Sequence, residues 1–504
     1  MFTKSAFFEQ IKSYGLSRHE KEMYWRLLDG SFLNSFKAVS SLDDLPPMPP
    51  QKRYARSYEV RPFEKSDPFN AWTVKTHIDH AVSGSLVNKK IAVKDNIAIA
   101  NVPMSIGTDL MASFKPKEDA TVIMRLLDHG AQIIGKAVSE SLFSAGNSYT
   151  ADSGPVQNPK AIGYSAGGSS SGSAALVASH EVDAALGCDQ TGSIRIPSAL
   201  CGIYGFKPSR GLVPYTGIVS VDQLLDSVGP MANTVGDLAL VLDAIAGRDG
   251  LDATQAQSLE AGNFHFFQSL SANIAGKRLG LLQQGFAIDH VSDPEVDKTV
   301  RINIDCFKKA GVSISQSSLP EFDLGNTIAD VINTIGTSRQ LIQFGGDSTS
   351  SATYYPADIS EAIKNRINTS NFHKLAPIVQ GILYSGQLAD SSEINYYGRA
   401  RNLMPAVTAA FEKAFEAVDI LALPTVPFMA DKLPENPASL NNLFMNRSGV
   451  GINCGVFNLI GYPAINIPCQ VTSLPRPVGM MLVAPFRQDQ LLLDFANTYE
   501  KLTA

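Results

Sequence analysis

Two runs rich in glycine and serine, Gly163 to Ser173 and Gly187 to Pro197, limit what this chain can fold into more than any other feature. Each abuts apolar residues: Ala174 to Ala178 follow the first run, and Val182 to Leu186 lead into the second. A flexible Gly/Ser linker would sit among polar residues in solvent. Here the runs are wedged between a helix-like and a strand-like segment, so they are loops built into a core. Glycine admits positive φ and close backbone approach, and the neighbouring serines supply hydroxyls. Two such loops in one segment describe a place where backbone N–H groups gather around a reacting oxygen.

The surrounding chain has the alternation that such loops need. Lys90 to Lys94 reads as a short strand, and a helix follows Asp119 with Val122, Leu126 and Leu127 on one face and Gly130 as its stop. Ile133 and Ile134 open another strand. Thr234 and Asp237 start a helix that ends near Gly247, and Ser292 to Glu295 start another carrying Val296, Val300 and Ile304. Ile420 to Leu423 form an apolar strand stopped by Pro424. This pattern predicts an α/β sandwich with helices on both faces of a sheet. Residues 320–410 read as mostly helical and polar, an insertion shaping a substrate entrance. Residues 1–65 differ: Phe7, Ile11, Leu16, Met23, Leu27 and Leu28 recur at helical spacing, and the prolines at 46, 47, 49 and 50 halt any helix that reaches them. They read as a helical extension and linker, serving as a homodimer contact or a cap, with residues 66–504 as the catalytic domain.

The formal net charge of -6 over 504 residues points away from nucleic acid and toward a small-molecule substrate. Five scattered cysteines without metal-ligand spacing read as reduced thiols. No apolar run approaches the ~20 residues that span a bilayer. A soluble, cytoplasmic enzyme is expected, with no membrane partner.

Rival chemistries fail on particular residues. The Walker pattern is absent. Gly168 to Gly172 matches the nucleophile-elbow pattern with Ser170 at its centre, but of the downstream histidines (His180, His265, His290 and His373) none lies in the last quarter of the chain. His19-Glu20 and His180-Glu181 begin zinc-like motifs, yet Met23 and Ala184 stand where a second histidine belongs. A serine nucleophile is left without a histidine base, and a lysine is the remaining choice. Lys94 ends an apolar run and is a candidate if burial keeps it neutral; a surface lysine paired with Asp95 is the alternative.

Val93-Lys94-Asp95-Asn96, Gly167-Gly168-Ser169-Ser170 and Asp189 to Arg195 resemble the amidase-signature enzymes, in order and in the 24-residue step from Ser169 to Ser193. The resemblance continues at Cys201 to Pro208, Leu212 to Gly217, Leu423 to Pro427, Gly461 to Ala464 and Pro477 to Met480, covering about residues 65–500. Asn101 to Met104, Ser153 to Val156 and Gly247 to Asp249 resemble the bacterial broad-spectrum aliphatic and aromatic amidases. It implies a mixed-sheet amidase-signature sandwich that needs neither metal nor organic cofactor.

It also implies a mechanism. Ser193 attacks a carboxamide carbonyl, and Ser169, on a cis Gly168–Ser169 peptide, relays the proton to neutral Lys94 and then to the leaving nitrogen. The N–H groups of Gln190, Thr191, Gly192 and Ser193 form the oxyanion hole, and Phe143 lines the acyl pocket. Ser170 hydrogen-bonds Lys94, while Asp189 and Arg195 hold the nucleophile loop. Two departures bear on substrate: Ser171 and Thr191 stand where many members have glycine. Allophanate hydrolases resemble this chain at those positions but differ after the nucleophile. An allophanate, carbamate, aryl-amide or ester hydrolase, or a transamidation-complex subunit, remain alternatives to a standalone amidase.

Overall fold

The computed structural model describes the chain apart from residues 1–2, 29–32, 42–53, 62, 64–65, 258, 261, 263, 345–353, 355, 438 and 441–448. It divides into two units, Met1–Gln51 and Lys52–Ala504. The proline run at 46–50 lies outside the described residues.

In the first unit, helices α1 (Lys4–Gln10), α2 (Arg18–Leu27) and α3 (Leu33–Ser40) follow the helical spacing of the sequence. Ser17 and Glu20 form a reciprocal capping box at α2. Phe7 packs on Trp25 with ring centroids 5.8 Å apart, and Lys4 pairs with Glu22 at 2.6 Å.

The second unit begins earlier than the sequence boundary at 65. Strand β1 (Arg56–Val60), assigned to the extension, pairs antiparallel with β2 (Trp72–Ile78). β1 is an edge strand with four of five residues exposed, so it has no apolar alternation to announce it. The order then runs β3 (Lys90–Lys94), α4 (Thr121–Asp128), β4 (Gln132–Ala137), a short hairpin β5 (Gln157–Asn158) and β6 (Ala161–Ser165), α5 (Ser171–Ala178), β7 (Ala184–Asp189), α6 (Arg195–Cys201), β8 (Tyr204–Lys207), β9 (Ser227–Ala232) and α7 (Val235–Ile245). After these come β10 (Arg278–Leu282), α8 (Pro294–Asp305), β11 (Ser313–Ser317), α9 (Glu321–Ser338), α10 (Ala357–Arg366), α11 (Pro377–Asp390), α12 (Tyr396–Ala417) and β12 (Ile420–Pro424). The chain closes with α13 (Gly455–Leu459), β13 (Ala464–Pro468), β14 (Gly479–Val483) and α14 (Asp489–Thr503). The expected strands at Lys90 and Ile420, the capped helices at Thr234 and Asp293, and the helical stretch after 320 are all present.

Among the described residues twelve strands form one mixed sheet, ordered β1-β2-β4-β3-β7-β9-β8-β13-β14-β12-β10-β11. β3 runs parallel to both β4 and β7, and β10 parallel to β11 and β12; the strands between are antiparallel. The central strands β7, β9, β12, β13 and β14 are buried along their whole length, which is why they read as apolar runs rather than alternations.

Candidate active site

The site follows from the pairing of β3 with β7. Their parallel register, Ile91 to Ala184 through Val93 to Leu186, brings the C-terminal ends of both strands out at one edge, the place where open α/β sheets hold ligands. Lys94 is the last residue of β3, and Asp189 the last of β7. The first Gly/Ser run enters α5 between them, and the second leads from β7 into α6.

Lys94 is fully buried, and its Nζ donates to Ser169 Oγ at 2.8 Å and to the Cys188 carbonyl at 3.3 Å. The alternative of a surface lysine paired with Asp95 is excluded: Asp95 pairs with the buried Lys136 at 3.0 Å and accepts from Ser105. Burial lowers Lys94 to about 8, against the pull of the Cys188 thiol and the Asp189, Glu140 and Asp226 carboxyls. The Phe143 ring lies 5.5 Å from Nζ.

The Gly168–Ser169 peptide is cis. Gly168 has no room for a side chain, because a Cβ there would lie 2.1 Å from Glu140 Oε2. Gly187 likewise lets Ser170 approach, since its Cβ would stand 3.0 Å from Ser170 Oγ. Ser170 does not bond Lys94 as expected. Its Oγ donates to the Cys188 carbonyl at 3.2 Å and accepts from the Cys188 N–H at 3.3 Å. Lysine and serine thus share one peptide acceptor, and Ser170 fixes the strand end that holds Lys94.

Asp189 organises the loop that follows it, Gln190 to Arg195. It accepts from the N–H groups of Gly192 (2.7 Å) and Ile194 (3.1 Å), and Arg195 grips both its oxygens at 2.9 and 3.0 Å. Asn458 of α13 donates to the same carboxylate at 3.0 Å. Burial works to raise this carboxyl, and the Arg195 guanidinium overrides it, holding it well below the usual carboxylate range. Gly192 is therefore corrected from the expected oxyanion hole: its N–H is committed to Asp189. The N–H groups of Gln190, Thr191 and Ser193 have no hydrogen-bond partner among the described residues, although buried amides are almost always paired.

Those three residues line a cavity of about 510 Å³ with Phe143, Ile196, Val450 and a polar stripe of α9. Residues Leu142, Phe143, Ala145 and Ser148 beside it adopt positive φ between 47° and 79°, a conformation held by surrounding structure at functional sites. Sequence reasoning missed Glu140, Asp226 and the α9 stripe. Glu140 is buried, accepts from the Asn147 N–H at 3.2 Å, and is raised by burial to about 7. Burial also raises Asp226 to about 7 beneath Gln190. The α9 stripe had a signal: Asn326, Asp330, Asn333 and Thr337 step at helical spacing beside the apolar Ile328, Ala329, Ile332 and Ile335.

Residues 70–493 match the Amidase family model. The chain is 34% identical over 482 residues to an enantioselective amidase of Rhodococcus rhodochrous, covering 94% of this chain and 90% of that protein. It is 32% identical over 421 residues to a glutamyl-tRNA(Gln) amidotransferase subunit of Synechococcus sp. (strain CC9311), covering 82% and 83%. Among solved structures it resembles the native peptide amidase of Stenotrophomonas maltophilia, with a TM-score of 0.67 and 26% identity over 83% of each chain. The mixed sheet, the glycine and serine loops and these matches define one class, and the chain belongs to the amidase-signature family.

Proposed function

We propose that the protein is a standalone amidase that hydrolyses a small carboxamide to a carboxylic acid and ammonia. The observation that carries this reading is the 2.8 Å hydrogen bond from fully buried Lys94 to Ser169, beside the unpaired amides around Ser193. Ser193 Oγ attacks the carbonyl carbon, its proton passes to Ser169, and the Ser169 proton passes to neutral Lys94. The tetrahedral oxyanion accepts from the Gln190, Thr191 and Ser193 amides. Collapse breaks the C–N bond as the proton returns through Ser169 to the leaving nitrogen, releasing ammonia. Water then attacks the acyl-enzyme by the same relay and releases the acid. No metal or organic cofactor enters these steps.

Phe143 serves as a wall of the acyl pocket, and α9 and α11 shape its entrance through Asn326, Asp330, Asn333, Thr337 and Ile382. The Rhodococcus relative, named an enantioselective amidase and matched over 94% of this chain against 82% for the amidotransferase subunit, supports the amidase reading. We place the enzyme in the cytoplasm as a homodimer joined through its N-terminal helices, on which Met23, Tyr24 and Val39 are more than half exposed.

The test is ammonia release from benzamide, propionamide and malonamide by wild type, Ser193→Ala and Lys94→Ala. Turnover that falls by orders of magnitude in both variants supports the reading. Full activity in Ser193→Ala removes the nucleophile assignment, and an inert wild type removes standalone amidase action on these acyl groups.

A further inference from the structure

Among the described residues, the cavity in front of Ser193 is lined by neutral side chains with one exception, Asp330 of α9. Asp330 is solvent-exposed at the cavity wall, and no hydrogen bond or ion pair among the described residues holds its carboxylate. Desolvation raises it above the ordinary carboxylate range, with no cation among the described residues to bring it back down. One turn earlier on the same face, Asn326 uses its carbonyl oxygen to accept from the Val456 N–H at 3.0 Å, while its buried Nδ2 has no partner.

The position of this pair relative to the reaction centre follows from Gly455. A Cβ on Gly455 would lie 3.4 Å from Asn326 Oδ1 and 3.8 Å from Thr191 Cγ2, so Asn326 stands beside the loop that carries the unpaired amides. Four residues on, Asp330 lies roughly 6 Å further along the helix. The wall therefore presents a neutral donor near the carbonyl and a lone negative charge one helical turn beyond it. Resting on the amidase reading, where the leaving group is ammonia, the matching positive charge belongs to the acyl portion of the substrate.

We propose that Asp330 is a specificity-determining residue, and that the substrate class is carboxamides whose acyl group ends in an ammonium about four to six atoms from the carbonyl. The ammonium pairs with the Asp330 carboxylate, and Asn326 Nδ2 donates to a polar atom on the acyl chain. Because Asp330 is exposed, such an ion pair discriminates by about two- to fivefold.

The experiment compares kcat/KM for 4-aminobutanamide, 5-aminopentanamide and 6-aminohexanamide with butanamide, pentanamide and hexanamide, in wild type and Asp330→Asn. Wild type is expected to prefer at least one ω-amino amide over its alkyl partner by about two- to fivefold. That ratio should collapse toward unity in Asp330→Asn, chiefly through KM, and should shrink in wild type as salt is added. A wild-type ratio near one across the series overturns the proposal, as does a preference that survives in Asp330→Asn. If no amide is turned over, the amidase reading has failed, and calorimetry of hexylammonium against hexanol decides the subsite separately. Tighter binding of the ammonium that is lost in Asp330→Asn upholds it; equal binding of the two overturns it.

Discussion

If Lys94 is the base, the rate of acylation must follow the fraction of Lys94 that is neutral. Burial sets that group at about 8. A base at that value is about one-tenth neutral at pH 7 and about nine-tenths neutral at pH 9, so kcat/KM should rise about tenfold across the interval and then level off. The sign is fixed by the chemistry: the protonated ammonium cannot accept the Ser169 proton, so activity is lost as pH falls. An ordinary exposed lysine near 10.4 would instead keep rising through pH 10. Glu140 provides a second perturbation. Its carboxylate works to raise Lys94, and burial brings its own titration to about 7. Glu140→Gln removes that charge, so the basic limb should move to lower pH. The assay is ammonia release between pH 6 and 10 at low substrate, with Lys94→Arg as a control that stays charged throughout. A flat or acid-optimal profile, or a limb that ignores Glu140→Gln, refutes the assignment of Lys94 as a desolvated base.

Asp189→Asn leaves the buried Arg195 uncompensated, so it should destabilise the protein by about 3–5 kcal/mol and displace the nucleophile loop; denaturant midpoints in which the change stays below about 1 kcal/mol would contradict the ion pair's role. Gly168→Ala drives a Cβ to within 2.1 Å of Glu140 Oε2, and should abolish turnover while destabilising by about 1–3 kcal/mol, read by activity and thermal melting. Thr191→Gly removes the β-branched side chain next to Gly455 and should shift preference toward bulkier acyl groups in a benzamide-to-propionamide comparison of kcat/KM. If the proposed homodimer forms through α2, Met23→Glu with Tyr24→Glu should give a monomer by light scattering, and an unchanged dimer mass would remove α2 from that proposal.

The chemistry is more legible in this sequence than the specificity, for a physical reason. Lys94, Ser169, Ser193, Asp189 and Arg195 lie on two strands, two loops and the first residue of α6, where the residue types admit few alternatives: glycines where a Cβ would collide, and a carboxylate that must meet a guanidinium when both are buried. Such constraints are local enough to show in ten residues. Glu140 escapes because nothing near it in sequence shows that it will be buried against Gly168 from 28 positions further along. The Gly192 N–H reads as an oxyanion donor because sequence shows a donor without showing which acceptor reaches it first; the Asp189 carboxylate, three residues back and charged, does so at 2.7 Å. β1 is hidden because an edge strand with exposed faces carries no alternation.

The α9 stripe is the intermediate case, and it explains why substrate class is harder to read than reaction type. Asn326, Asp330, Asn333 and Thr337 do mark one helical face, but a polar face on a helix ordinarily meets solvent. Only the fold, by packing Phe322 on Phe457 and placing Gly455 against Ala329, makes the stripe a wall of the cavity that Ser193 also lines. Asn326 and Thr337 are buried there, and Asp330 is left exposed. Catalytic groups act on atoms common to every amide, and short-range rules fix them. The residues that choose among amides have only to reach the far end of a cavity, and any helix that the topology brings there can supply them. Asp330 therefore lies outside the motif positions that carry the resemblance.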